Sequence, residues 1–245
     1  MKMRTAIFLL SGLMVADANG QDGVPTLRPV LSGIPNLSAE AHRLYAWYDS
    51  LLTVKRDILS SEQVLFDSLY YAWGETYLGP CVTIGMECSW YCGGGPDSLW
   101  ASSTRKPIEA RSYEVRNAHD FDRCTAWVEG AAGPGIGEWI TYQFANDSPR
   151  MHTVIISNGL VTSEKAWRTN NRVKLLRMEE NGLHVATLEL ADSMEDQSFK
   201  LPRLFGQRVD GQPMRLTFII LEVYPGDHHD DTVISEIWFD GMDVH

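Results

Sequence analysis

A chain of 245 residues with 44% hydrophobic residues and a formal charge of −11 has enough apolar material for one large β domain or two small ones. An acidic surface repels nucleic acid and anionic lipid, so neither is expected as a partner. Carboxylates accept hydrogen bonds from hydroxyls, which leaves a sugar ligand compatible with the charge.

The first residues, MKMRTAIFLLSGLMVADANGQ, place Lys2 and Arg4 before an apolar run from Ala6 to Val15 that is too short to span a bilayer. Small residues follow at Ala18, Asn19 and Gly20. Residues 1–20 are therefore expected to be a signal peptide, giving a secreted, periplasmic or cell-surface protein. Its removal takes away Lys2, Arg4 and Asp17, so 21 basic residues become 19, 32 acidic residues become 31, and the charge becomes −12. No later apolar run suggests a transmembrane anchor.

Residues 21–36 hold Pro25, Pro29 and Pro35 without an apolar period and read as a linker or extended arm. Ser38 is a candidate N-cap, after which Ala41, Leu44, Tyr48, Leu51 and Ile58 recur at helical spacing. Leu65, Leu69, Ala72 and Trp73 continue the pattern past a break at Leu59-Ser60-Ser61. Residues 37–78 are thus expected to form a small helical hairpin, most simply a packing accessory.

Cys81, Cys88, Cys92 and Cys124 form an even set, which in an exported chain favours two disulfides with three possible pairings. Cys88 and Cys92 are one residue further apart than a CxxC zinc knuckle requires.

From Gly79 onward short alternating runs take over: WITYQF, MHTVIIS, RVKLLRME, LHVATLEL, MRLTFIILEVY and TVISEIWF. Turn dipeptides separate them, the best hairpin candidate being Asn181-Gly182. Residues 79–245 therefore read as a β-sandwich or barrel. Within them CTAWVEGAAGPGIGEWI, residues 124–140, begins as a short strand at Thr125-Ala126-Trp127 and turns through Gly130, Gly133, Gly135 and Gly137. A phosphate-cradling loop needs a helix after the glycines, whereas WITYQF alternates as a strand.

TAWVEG, GIGEW, NNRVKLLRME (170–179) and DDTVISEIWF (230–239) resemble, in this order, the glycan-binding domain found beside secreted bacterial NAD glycohydrolases. That domain is a branch of the galactose-binding-like, discoidin or coagulation-factor type C modules. The resemblance covers roughly Ser89 to Asp240 and leaves residues 21–80 unaccounted for. It implies a mostly β protein, a galactose-binding-like jelly-roll sandwich after the N-terminal α-helical hairpin, which binds sugars through loops at one end.

A sugar is held by an aromatic face against its C–H side and by fixed polar groups on its hydroxyls. Trp167 is the candidate platform, with Arg168, Asn170, Asn171 and Arg172 beside it. The alternatives are that Trp167 folds back onto the sandwich and that Arg172 pairs with Glu138 or Glu129. A second loop offers Tyr224 for stacking, with His228, His229, Asp230 and Asp231 as polar groups. The resemblance also implies a structural Ca²⁺ held by Asp120, Asp122, Thr125 and Glu236, although Phe121 stands where the family's turn usually has Gly.

Neither GxSxG nor HExxH occurs. The expectation is a noncatalytic carbohydrate-binding protein whose partner is a glycan or glycoconjugate. The alternatives are a protein-interaction or assembly module, or a glycan-active hydrolase using Glu129 and Glu138.

Overall fold

The computed structural model describes residues 23–33, 36–54, 57–73, 79–83, 90–109 and 111–242. The expected signal peptide lies outside them. The alternating runs form β5 (Trp139–Phe144), β6 (Met151–Asn158), β7 (Asn171–Glu180), β8 (Leu183–Glu189), β10 (Met214–Tyr224) and β11 (Thr232–Gly241). Three further elements join them: β3 (Ser98–Ala101), β4 (Trp127–Val128) and β9 (Asp196–Phe205).

Hydrogen bonding sets the order β2 (Val30–Ser32), β9, β6, β11, β7, β10, β5, β3, with β8 on β7 and β4 on β11. The sheet closes over itself into two layers at β11. This strand is antiparallel to β6 along Glu236–Asp240 but starts parallel to β7, with Thr232 opposite Asn171 and Val233 opposite Arg172. Alternation sends one face of each strand inward. Phe239 of β11 therefore meets Tyr142 and Phe144 of β5 edge-on, both with ring centroids at 5.1 Å. The expected mostly β sandwich is the observed fold. Asn181 (φ 49°) and Gly182 (φ 85°) make the tight turn between β7 and β8, where both central residues need positive φ.

The proline-containing arm is part of this architecture. β1 (Thr26–Leu27) runs parallel to β8, and β2 (Val30–Ser32) runs antiparallel to β9. One short segment thus covers an edge of each layer, satisfying backbone groups that an open edge leaves unpaired.

Helix α1 (Ala39–Val54) starts at Ser38, whose hydroxyl accepts from the Ala41 N–H at 3.1 Å. It lies in a hairpin with α2 (Gln63–Trp73). Tyr48, fully buried, stacks on Phe66 at 5.5 Å and meets Trp73 edge-on at 5.4 Å.

Cys81 and Cys124 form a disulfide across 43 residues, with Cα atoms 5.5 Å apart. Closing a loop of that length stabilises by about 4 kcal/mol on the chain-entropy argument. The bond staples the strand-approach segment to the turn before β4, where the Arg123 N–H also donates to the Cys81 carbonyl at 2.8 Å. Cys92 is exposed, and Cys88, part of the expected second bridge, lies outside the described residues.

Candidate functional site

The connections between β4 and β5, between β6 and β7, between β8 and β9 and between β10 and β11 all lie at one end of the sandwich, as does the first part of the connection from β3 to β4. The glycine-rich connection is held from within. Glu129 is fully buried and accepts from the backbone N–H of Ala131 at 2.7 Å and of Thr232 at 3.2 Å. Burial pushes its carboxyl above the ordinary range. Gly135 (φ 66°) lies so close that an added Cβ would sit 2.6 Å from Glu129 Cγ. Glu138 accepts from the hydroxyls of Ser102 and Ser103. Both carboxylates are therefore engaged in holding loops, which disfavours them as an acid and base pair.

Trp167 belongs to a helix instead of an open loop: α3 (Glu164–Thr169), capped by Ser163, whose hydroxyl accepts from the Ala166 N–H at 3.1 Å. The side chain is 6% exposed, and its indole N–H donates to the Asn158 carbonyl at 2.8 Å. Gly159 makes room, since a Cβ there would lie 2.7 Å from Trp167 Cδ1. The Arg172 guanidinium lies 4.5 Å from the ring centroid. The expected stacking platform is thus packed inward and covered by a cation, with what remains of its surface on a hollow beside α3.

Arg172 is likewise engaged by the protein's own groups. Nε and Nη2 grip the Asp192 carboxylate at 2.9–3.1 Å, and Nη1 donates to the carbonyls of Asn170 at 3.1 Å and Pro225 at 3.0 Å. These contacts account for the donors that a guanidinium carries. Its partner is Asp192, not Glu138 or Glu129, and the bonds tie three loops together. Asn171, also buried, donates to the Asp230 carbonyl at 2.8 Å and accepts from the Gly226 N–H at 2.7 Å. The Tyr224 hydroxyl donates to the Leu190 carbonyl at 2.9 Å. Arg168 is exposed and pairs with Glu164 one turn earlier. His228 and Asp230 are exposed, and the His228 and His229 N–H groups both donate to the Thr169 carbonyl.

Helix α3 separates two hollows. One, of about 530 Å³, takes Trp167 and Arg168 together with Asp192, Ser193 and Met194, and is completed by Asn36, Leu37 and Ser38. The other, of about 490 Å³, lies between the loop before β4, the opposite side of α3 and the loop before β11. Its floor includes Val128, Leu160 and Val233, and its walls include Tyr113, Asn170 and His229. Arg105, Arg111 and Lys165 also line it. Arg105 pairs with Asp231 and lies 5.9 Å from the Tyr113 ring centroid. Of the expected set, Trp167 and Arg168 line the first hollow and Asn170 and His229 the second, whereas Asn171, Arg172, Tyr224, His228, Asp230 and Asp231 line neither.

The expected Ca²⁺ turn is a separate cluster. Asp120 accepts from the Thr125 hydroxyl at 2.8 Å and from the Asp122 N–H at 3.0 Å. Glu236 Oε1 accepts from the Asp122 N–H at 2.9 Å, while Oε2 is buried without a hydrogen-bond partner among the described residues. Burial, together with the nearby Asp120 carboxylate, pushes the Glu236 carboxyl up to about 10. Phe121 adopts φ 63°, so the tight turn forms despite the missing Gly. The Asp122 carboxylate turns away to accept from the Cys124 N–H at 2.8 Å.

Residues 90–240, more than half of the chain, match the family described as NAD glycohydrolase translocation F5/8 type C domain. The chain belongs to this family. Among solved structures, this type C domain is similar to the CBM32-1 and CBM32-2 domains of Clostridium perfringens ZmpB. That match has 13% identity and a TM-score of 0.44, and covers 84% of this chain and 51% of that one. It is also similar to a Ruminococcus gnavus GH29 fucosidase crystallised with fucose, at 14% identity and TM-score 0.34, over 74% of this chain and 29% of that one. CBM32-3 from a Clostridium perfringens family 31 glycoside hydrolase matches at 16% identity and TM-score 0.38, covering 62% and 97%. The chain spans about half the length of the first of these and less than a third of the second. No curated protein matches the chain in sequence.

Of the residues that line the second hollow of the type C domain, sequence reasoning named Asn170 and His229 but missed Arg105, Arg111, Tyr113 and Lys165. For all but Lys165 the signal was available in TRKPIEARSY, residues 104–113, where three cations precede an aromatic residue in an otherwise acidic chain.

Proposed function

We propose that this type C domain is an exported, noncatalytic module that binds glycans in the groove between residues 105–113, α3 and the loop before β11. The observation that carries this reading is the composition of that groove. An aromatic ring, an apolar floor and side-chain donors meet in one hollow of about 490 Å³, the inventory that sugar recognition needs. Every lining residue lies within the family-matched segment, whereas the hollow beside Trp167 depends on residues 36–38 outside it. The Cys81–Cys124 bridge agrees with an oxidising destination. Among the described residues no helix is long and apolar enough to cross a membrane.

The test is a glycan array probed with the full chain beside Tyr113→Ala, with thermal melts to establish that the variant is folded. Binding that Tyr113→Ala removes supports the groove. Absence of binding to every glycan sinks the reading.

Ca²⁺ belongs to the same proposal as a structural ion. The donor set fits a hard cation: carboxylate oxygens of Asp120 and Glu236, the Thr125 hydroxyl, and the Asp122 carbonyl 3.1 Å from that hydroxyl. The unpartnered, buried Glu236 Oε2 is the strongest indication, since a buried carboxylate without a counter-charge is costly. A bound ion would neutralise it and fix the turn through Phe121. Ca²⁺ should raise the melting temperature of the chelator-treated protein, and Glu236→Gln should abolish that rise. An identical melt with and without Ca²⁺ counts against the ion.

A second reading attaches to the hairpin, where α2 leaves Val64 82% and Tyr71 95% exposed. Such a face suits contact with another protein surface. If that contact is with a second copy, Val64→Asp with Tyr71→Asp should abolish concentration-dependent association in sedimentation; no association in the parent protein would remove that case.

A further inference from the structure

The proposed groove differs in charge from the molecule that carries it. The chain has a formal charge of −11, yet among the described residues three cations and no carboxylate line the hollow: Arg105, Arg111 and Lys165. One acidic neighbour, Asp231, pairs with Arg105. Arg111 and Lys165 are exposed, and among the described residues neither has an ion pair. They approach the same cavity from different elements, Arg111 from the loop before β4 and Lys165 from α3.

Two cations that line one hollow repel each other and gain when an anion enters beside both. A neutral sugar would use the Tyr113 ring and hydroxyl bonds but would leave that repulsion in place. Resting on the glycan reading above, we propose that the groove selects acidic glycans, with a carboxylate or sulfate on the sugar lying beside both Arg111 and Lys165. Arg105 has a different part. Its bond to Asp231 and its position beside Tyr113 make it a wall that positions the ring, and the two unpaired cations supply the selectivity. The negative charge elsewhere on the surface opposes nonspecific binding of polyanions, so selection falls to this one place.

The test measures binding of the full chain to matched oligosaccharides in three arms: neutral, carboxylated and sulfated. Acidic members should bind about tenfold or more tightly than the neutral parent, and the preference should shrink as ionic strength rises from about 0.05 to 0.5 M. The double variant Arg111→Gln with Lys165→Gln should erase the preference while its melting curve stays close to that of the parent, because both side chains are exposed and substitution there spares the fold. Comparing the two acidic arms tells whether the planar or the tetrahedral anion is the better fit. Equal affinity for neutral and acidic members overturns the inference while the glycan reading stands. So does a preference that the double variant retains. No binding in any arm overturns both.

Discussion

The two sides of α3 differ in what their charged groups are free to do. On one side Arg172 has its donors engaged by Asp192, Asn170 and Pro225, and its guanidinium lies over a Trp167 that is itself bonded to Asn158. On the other, Arg111 and Lys165 stand exposed around a hollow with an apolar floor. A buried group with every bond made holds loops in place, whereas an exposed group with none made can meet a ligand at little cost in stability. The comparison teaches that polar and aromatic density along a loop does not by itself mark a binding site; bonds left open do.

The strongest way to break this contrast is Trp167→Ala. If the indole is architecture, its loss leaves a cavity beneath α3 and costs about 3–5 kcal/mol in chemical denaturation, with binding affected only as far as the fold is. Retained stability together with abolished glycan binding would return Trp167 to the site. Arg172→Ala comes next, at about 3 kcal/mol, because it leaves loop carbonyls and Asp192 without their donor. Arg172→Lys should recover little of this, since an ammonium cannot reproduce the bidentate fork. Full rescue by Lys in the same denaturation experiment would show that charge alone matters.

Glu129→Gln sharpens the contrast from the side of pH. The amide keeps one acceptor for two backbone N–H groups, so a cost of about 1–3 kcal/mol is expected. Burial holds the folded carboxyl above its ordinary value of 4.5, so the folded state retains a proton that the unfolded chain gives up. This part of the stability is present below the unfolded value and is lost as pH rises through the folded one. The melting-temperature gap between parent and variant should therefore narrow as pH rises from about 4.5. A gap that widens over that range would contradict the assigned direction.

The long strands and the Asn181-Gly182 turn were legible because alternation and positive-φ residues act locally. β9 was not, since Gln197 and Arg203 interrupt the apolar face of Phe199, Leu201 and Phe205 and Pro202 stands within the run, and pairing with β6 supplies what local pattern lacks. The arm from Thr26 to Ser32 was legible as extended chain, but its pairing with β8 and β9 depends on which edges the sandwich leaves open. Similar reasons govern the site. NNRV was visible as a motif, yet nothing in it says that Asp192, twenty residues further on, engages Arg172. Arg105, Arg111 and Tyr113 form a readable basic and aromatic cluster, but its meaning depends on Lys165 arriving from α3, a tertiary fact.

The smallest expected change in stability is the most informative about the open side of α3. Arg111→Gln removes an exposed cation that has no ion pair among the described residues, so the melting curve should shift by no more than about 0.5 kcal/mol in free energy. Arg172→Ala, which also removes one positive charge, should unfold the protein far more readily. If net charge were what mattered, the two variants would behave alike; if open bonds matter, Arg172→Ala loses stability and Arg111→Gln loses acidic-glycan affinity with its fold intact. A large stability loss in Arg111→Gln would mean that its side chain is spent on structure too, and the distinction between the two sides of α3 would collapse.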